Sequence, residues 1–201
     1  MDNASPVFQS HLSPLSVKGQ KQAELIANRV SKITFGSIIA SPLPRAAQTA
    51  QALADKTKKP IQFSDLFIER IKPASIDGKP WNDSKAIKTW HNWEESLYNP
   101  ELRIEDGENY DDIVKRADNA LQYLLDHSER SIVVVSHGYF IRTIISRVLL
   151  GDQLNSSVLF KIQRVASMEN TAISVIQYRD AFEENDCWRL WTYNDHSHFA
   201  D

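Results

Sequence analysis

Two short stretches of the chain carry side chains whose types and spacing could handle an anion. The first is Ser41-Pro42-Leu43-Pro44-Arg45-Ala46-Ala47-Gln48-Thr49-Ala50. It follows the apolar run SerIleIleAla at 37–40 and puts Arg45 at the head of an alanine-rich helix. A guanidinium is a planar fork matched to phosphate oxygens. The second is Val135-Ser136-His137-Gly138-Tyr139, which puts His137 on the turn after a β-branched run. Gly138 lacks a Cβ and permits close backbone approach to a ligand. In open α/β sheets ligands collect beyond the carboxyl ends of strands, where helix N-termini present N–H groups to anions. Singly, an arginine at a helix start is ordinary surface, and a histidine after a strand is ordinary hydrogen-bonded structure. Together at neighbouring strand ends they suit an anionic, phosphorylated ligand. Glu69 closes an apolar stretch over 61–68 near the same edge, either as a general acid or as a solvated carboxylate. His196-x-His198 is at most half a metal site, because acidic partners at ligand spacing are missing. His91 and His127 have structural readings, and the pairs Glu94-Glu95 and Glu183-Glu184 read as solvated charge.

The elements that would position these groups follow from periodicity. The first fifteen residues read as loop. Ser16 can cap a helix whose Ala23, Ile26, Val30 and Ile33 form one apolar stripe. A buried strand at 37–40, a helix over about 45–54 and a strand over 61–67 come next. Residues 70–107 change character: Pro73, Pro80 and Pro100 break the chain, while Trp81, Trp90, Trp93 and Tyr98 supply large rings. This part reads as an inserted lid at about 71–106, with some helix around 84–97, or as aromatics that hold a long loop down. From Tyr110 on, Ile113, Ala117, Ala120, Leu121 and Leu124 line a helix face, with Asp111 and Asp112 favouring its first turn. The run at 132–135 suits a central parallel strand buried on both faces. A helix over 139–150 ends at Gly151, and 172–178 and 188–193 read as late strands joined by an acidic loop. The alternation predicts one α/β domain over 1–201, a sheet with crossover helices. The chain opens on a crossover helix with no strand in front of it.

Composition narrows the function classes. Lys and Arg total 23 against 26 Asp and Glu, a net charge of −3, so no basic field marks a nucleic-acid binder. The single cysteine, Cys187, excludes an internal disulfide and a Cys-rich zinc cluster. It fits a reducing compartment, and a cytoplasmic location is expected. The 6 glycines are too far apart for G-x-G or a P-loop. Short apolar runs predict no membrane span, and the polar N-terminus no signal peptide.

Several segments resemble the histidine phosphatase superfamily, also called phosphoglycerate mutase-like. They are LSPLSVKGQKQAELIANRV at 12–30, SPLPRAAQTAQALA at 41–54, LFIER at 66–70, GENYDDIVKRADNAL at 107–121 and VVVSHGYFIR at 133–142. MENTAISVI at 168–176 and WTYNDHSHF at 191–199 resemble its small-molecule phosphatase branch. The resemblance spans nearly the whole chain apart from 71–106. It implies a three-layer α/β/α sandwich with a mostly parallel central sheet. It also implies hydrolysis of a phosphate monoester through a phosphohistidine, without metal or cofactor. Carried over, Arg45 binds phosphate, His137 is the second histidine of the site and Glu69 is the proton donor. Asn3 and Gln9 match polar first-loop positions that contact phosphate or substrate, and Gly138 offers its backbone N–H. The implied partner is a phosphorylated small molecule.

One departure has consequences. The family's nucleophile lies in an Arg-His-Gly triplet at the end of its first strand, and this sequence contains no such triplet. The neighbours of His11 match a later part of that loop. The expectation is a chain truncated at its N-terminus, short of a normally central strand and with little or no turnover. Unpaired groups on the flanking strands would then invite self-association, a homodimer being the simplest form. Two alternatives stay open: a non-catalytic relative that binds phosphorylated ligands, and a phosphoglycerate mutase.

Overall fold

A computed structural model of the chain describes residues 6–179 and 187–199. Helix α1, Val17–Val30, starts where Ser16 Oγ accepts the Gly19 N–H at 3.1 Å. Its buried stripe is Ala23, Ile26, Ala27 and Val30; Ile33 falls beyond the helix and is exposed. Strand β1, Ser37–Ala40, is buried at all four positions. Pro44 opens α2, Pro44–Thr57, where its missing N–H costs nothing. The helix runs past the predicted end to Lys58, which adopts the left-handed conformation at φ 57°.

Strand β2, Ile61–Phe63, is shorter than predicted. Ser64 Oγ accepts the Leu66 N–H at 3.4 Å and turns the chain into a 3-10 turn, Asp65–Phe67. Glu69 therefore follows a turn and not a strand. Helix α3, Ser84–Glu95, is capped by the Asp83 carboxylate, which accepts from the Lys85 and Ala86 N–H groups. Helix α4, Tyr110–Leu125, begins with a reciprocal cap between Asn109 and Asp112. Then come β3, Ile132–Val135, and α5, Gly138–Leu150. Helix α6, Ser156–Val165, was not anticipated, although Val158, Leu159, Ile162 and Val165 repeat at helical spacing behind an Asn155 cap. Strands β4, Ile173–Arg179, and β5, Cys187–Asp195, pair antiparallel through an irregular register.

The main sheet has the order β2-β1-β3, all parallel. Ile38 and Ala40 face a core with Val30 of α1 and Leu53 of α2. Ile39 points the other way, toward Ile113 and Ala117 of α4 and Phe140 of α5. Alternation along β1 thus makes the three layers. β4 and β5 form a separate two-stranded sheet, with β5 packed on α5.

One expectation is corrected here. β1, not β3, is central; β3 is an edge of the three-stranded sheet and its residues are half-buried. Its apolar run is explained all the same, because Val133 and Val135 pack on one core and Ile132 and Val134 on the other. β3 pairs with β1 from Ser37 with Ile132 to Ala40 with Val135; among the described residues no strand pairs with its other side, and β4 with β5 forms a separate sheet, so β3 has an open edge of the kind expected beside a missing strand.

The aromatic segment packs on the N-terminal loop. Val7 bridges to Pro80, and the Phe8 N–H donates to Lys79 O at 2.8 Å. Phe8 is buried with its ring centroid 4.1 Å from Trp81 and 5.1 Å from Trp90, and Trp90 continues to Trp93 at 5.0 Å. Gly107 lies against this wall: a Cβ there would come within 2.7 Å of Trp93 Cδ1 and 2.9 Å of Pro73 Cδ. Among the described residues no helix is long and apolar enough to cross a membrane.

Candidate active site

Because β1 and β3 run parallel in register, the turns after them open on the same edge of the sheet. Ser41, fully buried, leaves β1, and His137 leaves β3 as the residue before α5. The two meet: Ser41 Oγ lies 2.8 Å from His137 Nε2. His137 is 6% exposed. Burial first, then the charges of Arg45 and Arg116, push its pKa down to about 3, so its imidazole is neutral.

Arg45, the second residue of α2, reaches the same edge. Its Nη1 is buried and has no hydrogen-bond partner among the described residues. A cationic donor that has lost water and gained nothing is costly, and an anion would satisfy it. Burial lowers the guanidinium pKa, opposed by the nearby Glu69 and Asp77.

Glu69 sits at the start of α5. Its Oε1 accepts the Arg70 N–H at 3.0 Å and the Phe140 N–H at 3.2 Å. Burial nevertheless raises its pKa, outweighing those N–H groups and Arg45. The carboxyl therefore keeps its proton at higher pH than a free glutamate, as a proton donor must. The Phe140 N–H, in the first turn of α5, is thus taken by Glu69. Gly138 heads α5, where a Cβ would meet only Arg142 Nη1 at 3.5 Å, an ordinary contact, so protein crowding does not require glycine there.

Two arginines not singled out in the sequence hold this frame. Arg116 of α4 donates to Leu66 O, Ile68 O and Glu69 O and pairs with Glu108, its guanidinium 4.0 Å from the Phe140 ring centroid. Arg70, 2% exposed, donates to Glu108 O, Trp93 O, Ser96 Oγ, Glu94 and Tyr139 Oη, and lies 4.0 Å over Trp93. Both fall within segments quoted for the resemblance, yet nothing in an isolated sequence separates a buried arginine from a surface one. Ser41 was missed likewise, although its place directly after a buried run was a usable signal.

Arg45, Glu69, His137 and Gly138 come together. Gln9 is exposed beside the buried Phe8, and Asn3 lies outside the described residues. The His196–His198 pair has local partners: His196 Nδ1 contacts Asn194 O, while His198 contacts Arg29 and Thr171. Among the described residues no group of three or more His, Cys, Asp and Glu side chains could hold a metal ion. What remains is a guanidinium whose buried Nη1 has no partner, a neutral imidazole and a carboxyl whose pKa burial raises. Such a set can hold an oxyanion and protonate a leaving oxygen.

The model of the family described as Histidine phosphatase superfamily (branch 1) matches residues 2–195. The chain is 26% identical to the probable phosphoglycerate mutase GpmB of Escherichia coli over 189 residues, 92% of this chain and 83% of that protein. Among solved structures it is similar to a mycobacterial glucosyl-3-phosphoglycerate phosphatase determined with VO3, at TM-score 0.74 and 23% identity, covering 96% of this chain and 93% of that one. It is also similar to a putative alpha-ribazole-5'-P phosphatase from Escherichia coli, at TM-score 0.77 and 18% identity, covering 96% and 90%. At these identities the structures speak for the fold.

Proposed function

The chain belongs to the histidine phosphatase superfamily (branch 1), and from that premise we propose that it is built to hydrolyse small phosphate monoesters through a phosphohistidine. The observation that carries the reading is the buried, unpartnered Nη1 of Arg45 beside Glu69 and His137. In this reading Arg45 and His137 bind the phosphoryl oxygens, and the Gly138 N–H adds a neutral donor. A histidine nitrogen attacks phosphorus, the ester P–O bond breaks, and Glu69 gives its proton to the departing oxygen. Glu69, now a carboxylate, takes a proton from water, which attacks phosphorus and breaks the N–P bond. The aromatic segment over 71–106 forms the wall of the pocket.

The 201 residues contain no Arg-His-Gly triplet, so within this chain the attacking histidine has no candidate at the family position. We assign it to a strand the sequence does not include. The alternative, a relative that binds phosphorylated ligands without turnover, is favoured by the same absence. A phosphoglycerate mutase is the other reading, and the name of the Escherichia coli relative speaks for it.

The test is turnover of p-nitrophenyl phosphate near pH 6–7 by two proteins, the 201-residue chain and the chain preceded by a strand ending in Arg-His-Gly-Glu. The short form should show little or no turnover, because losing the nucleophile removes most of the rate of a cooperative site. The extended form should be active. Equal turnover in both would contradict the nucleophile assignment. A folded but inactive extended form would favour the binding reading, and phosphate exchange between phosphoglycerates would favour the mutase.

A further inference from the structure

We infer that Ser41 is a positioning residue for His137: its hydroxyl donates to Nε2 and holds the ring with its proton on Nδ1, so that Nδ1–H is the donor offered to a phosphoryl oxygen. The offer to phosphate rests on the function proposed above, whereas the hold on the ring does not.

Both backbones are pinned. The Ser41 N–H donates to Val135 O at 2.9 Å, across the ends of β1 and β3. Ser136, just before His137, donates its hydroxyl to Phe67 O at 2.7 Å, and His137 O accepts the Ile141 N–H at 2.8 Å. The ring has one hydrogen-bond partner among the described residues, Ser41 Oγ, at 2.8 Å from Nε2. Both side chains of this contact are buried.

The count of protons gives the contact its direction. A hydroxyl has one proton to give and two lone pairs. Ser41 Oγ accepts the Leu43 N–H at 3.2 Å, which occupies one lone pair. Among the described residues its only other partner is the ring. If Nε2 were the donor, the Ser41 proton would be left unpaired in a fully buried place, which is costly. With the hydroxyl donating, every group of the contact is used. A neutral imidazole carries one proton, and with Nε2 accepting, that proton is on Nδ1. Burial, which pushes the His137 pKa down to about 3, keeps the ring in this neutral form. Nδ1 has no partner among the described residues, and it is not sealed off as Arg45 Nη1 is. It is the ring's free donor. A serine that only shaped the turn into α2, through Leu43, would leave the choice of nitrogen to the imidazole, which on its own favours Nε2–H.

The experiment is long-range proton–nitrogen correlation NMR of the 201-residue chain with labelled histidines at about pH 7, where a protonated and a bare ring nitrogen resonate far apart. The signals lost in His137→Asn identify His137. The wild type should show Nδ1 protonated and Nε2 bare. Ser41→Ala should move the ring toward Nε2–H. It should also weaken the binding of inorganic phosphate, read by calorimetry, about fivefold, as loss of one neutral hydrogen bond does. Ser41→Thr keeps the hydroxyl and should keep the wild-type tautomer. Nε2–H in the wild type would overturn the proposal, and that spectrum decides even if no Ser41 variant folds. A folded Ser41→Ala that kept Nδ1–H, or that bound phosphate as tightly as the wild type, would overturn it too. A wild type that bound no phosphate, with Ser41→Ala still changing the tautomer, would remove the phosphate pocket and support the hold of Ser41 on the ring.

Discussion

A histidine buried next to two arginines must be neutral to stay there, and His137 shows what that costs as pH falls. Its folded pKa lies near 3, whereas the unfolded imidazole titrates near the reference of about 6.5. Between those values the unfolded chain binds a proton that the folded chain refuses. The His137 contribution is therefore complete above about pH 6.5 and is lost as pH falls toward 3, at up to about 1.4 kcal/mol per pH unit. Glu69 works in the other direction: its raised pKa favours the fold at low pH and fades as pH rises. Comparing slopes separates the two. Urea unfolding between pH 7 and 5 should show the wild type losing stability more steeply than His137→Asn; parallel slopes would mean that the imidazole is not held neutral. Arg45, His137 and Glu69 were readable as candidate site residues, because each stands at a turn beside the carboxyl edge of the sheet. Their neutralised or orphaned states were not, because burial is set by Arg116, Arg70 and the helices they join, far away in sequence.

At the scale of elements, the aromatic wall couples the insert to the site frame. Trp93 is 4% exposed, donates Nε1–H to Glu108 O at 3.0 Å, and carries Arg70 on its face. Trp81, on the same stack, is 45% exposed. Trp93→Ala should thus destabilise the protein by about 3–5 kcal/mol, the usual cost of deleting a buried large ring, and Trp81→Ala by clearly less. Chemical denaturation would show it, and equal losses would mean that the stack has no buried end. Helical periodicity and caps made α1, α2, α4 and α5 legible within a few residues, and two short apolar runs marked β1 and β3 to the residue. Strand order was not legible. Apolar residues on both faces of β3 report cover by helices on two sides, which an edge strand between layers also has. β2 was read too long because the hydroxyl that ends it belongs to a single serine, Ser64.

The whole molecule places one layer boundary on each side of β1 and gathers both strand–helix turns at one edge. The open side of β3 has a consequence at this scale. A further strand can pair there without parting the four residue pairs from Ser37 with Ile132 to Ala40 with Val135, so the two turns and their shared edge stay in place. The account depends on that edge binding a phosphoryl group between Arg45 and His137. The most direct measurement is a crystal structure of the 201-residue chain with vanadate. The account predicts vanadate oxygens within hydrogen-bond distance of Arg45 Nη1 and the His137 ring, with the Glu69 carboxyl beside the group. Vanadate bound elsewhere, or Arg45 and His137 on opposite sides of the sheet, would contradict it.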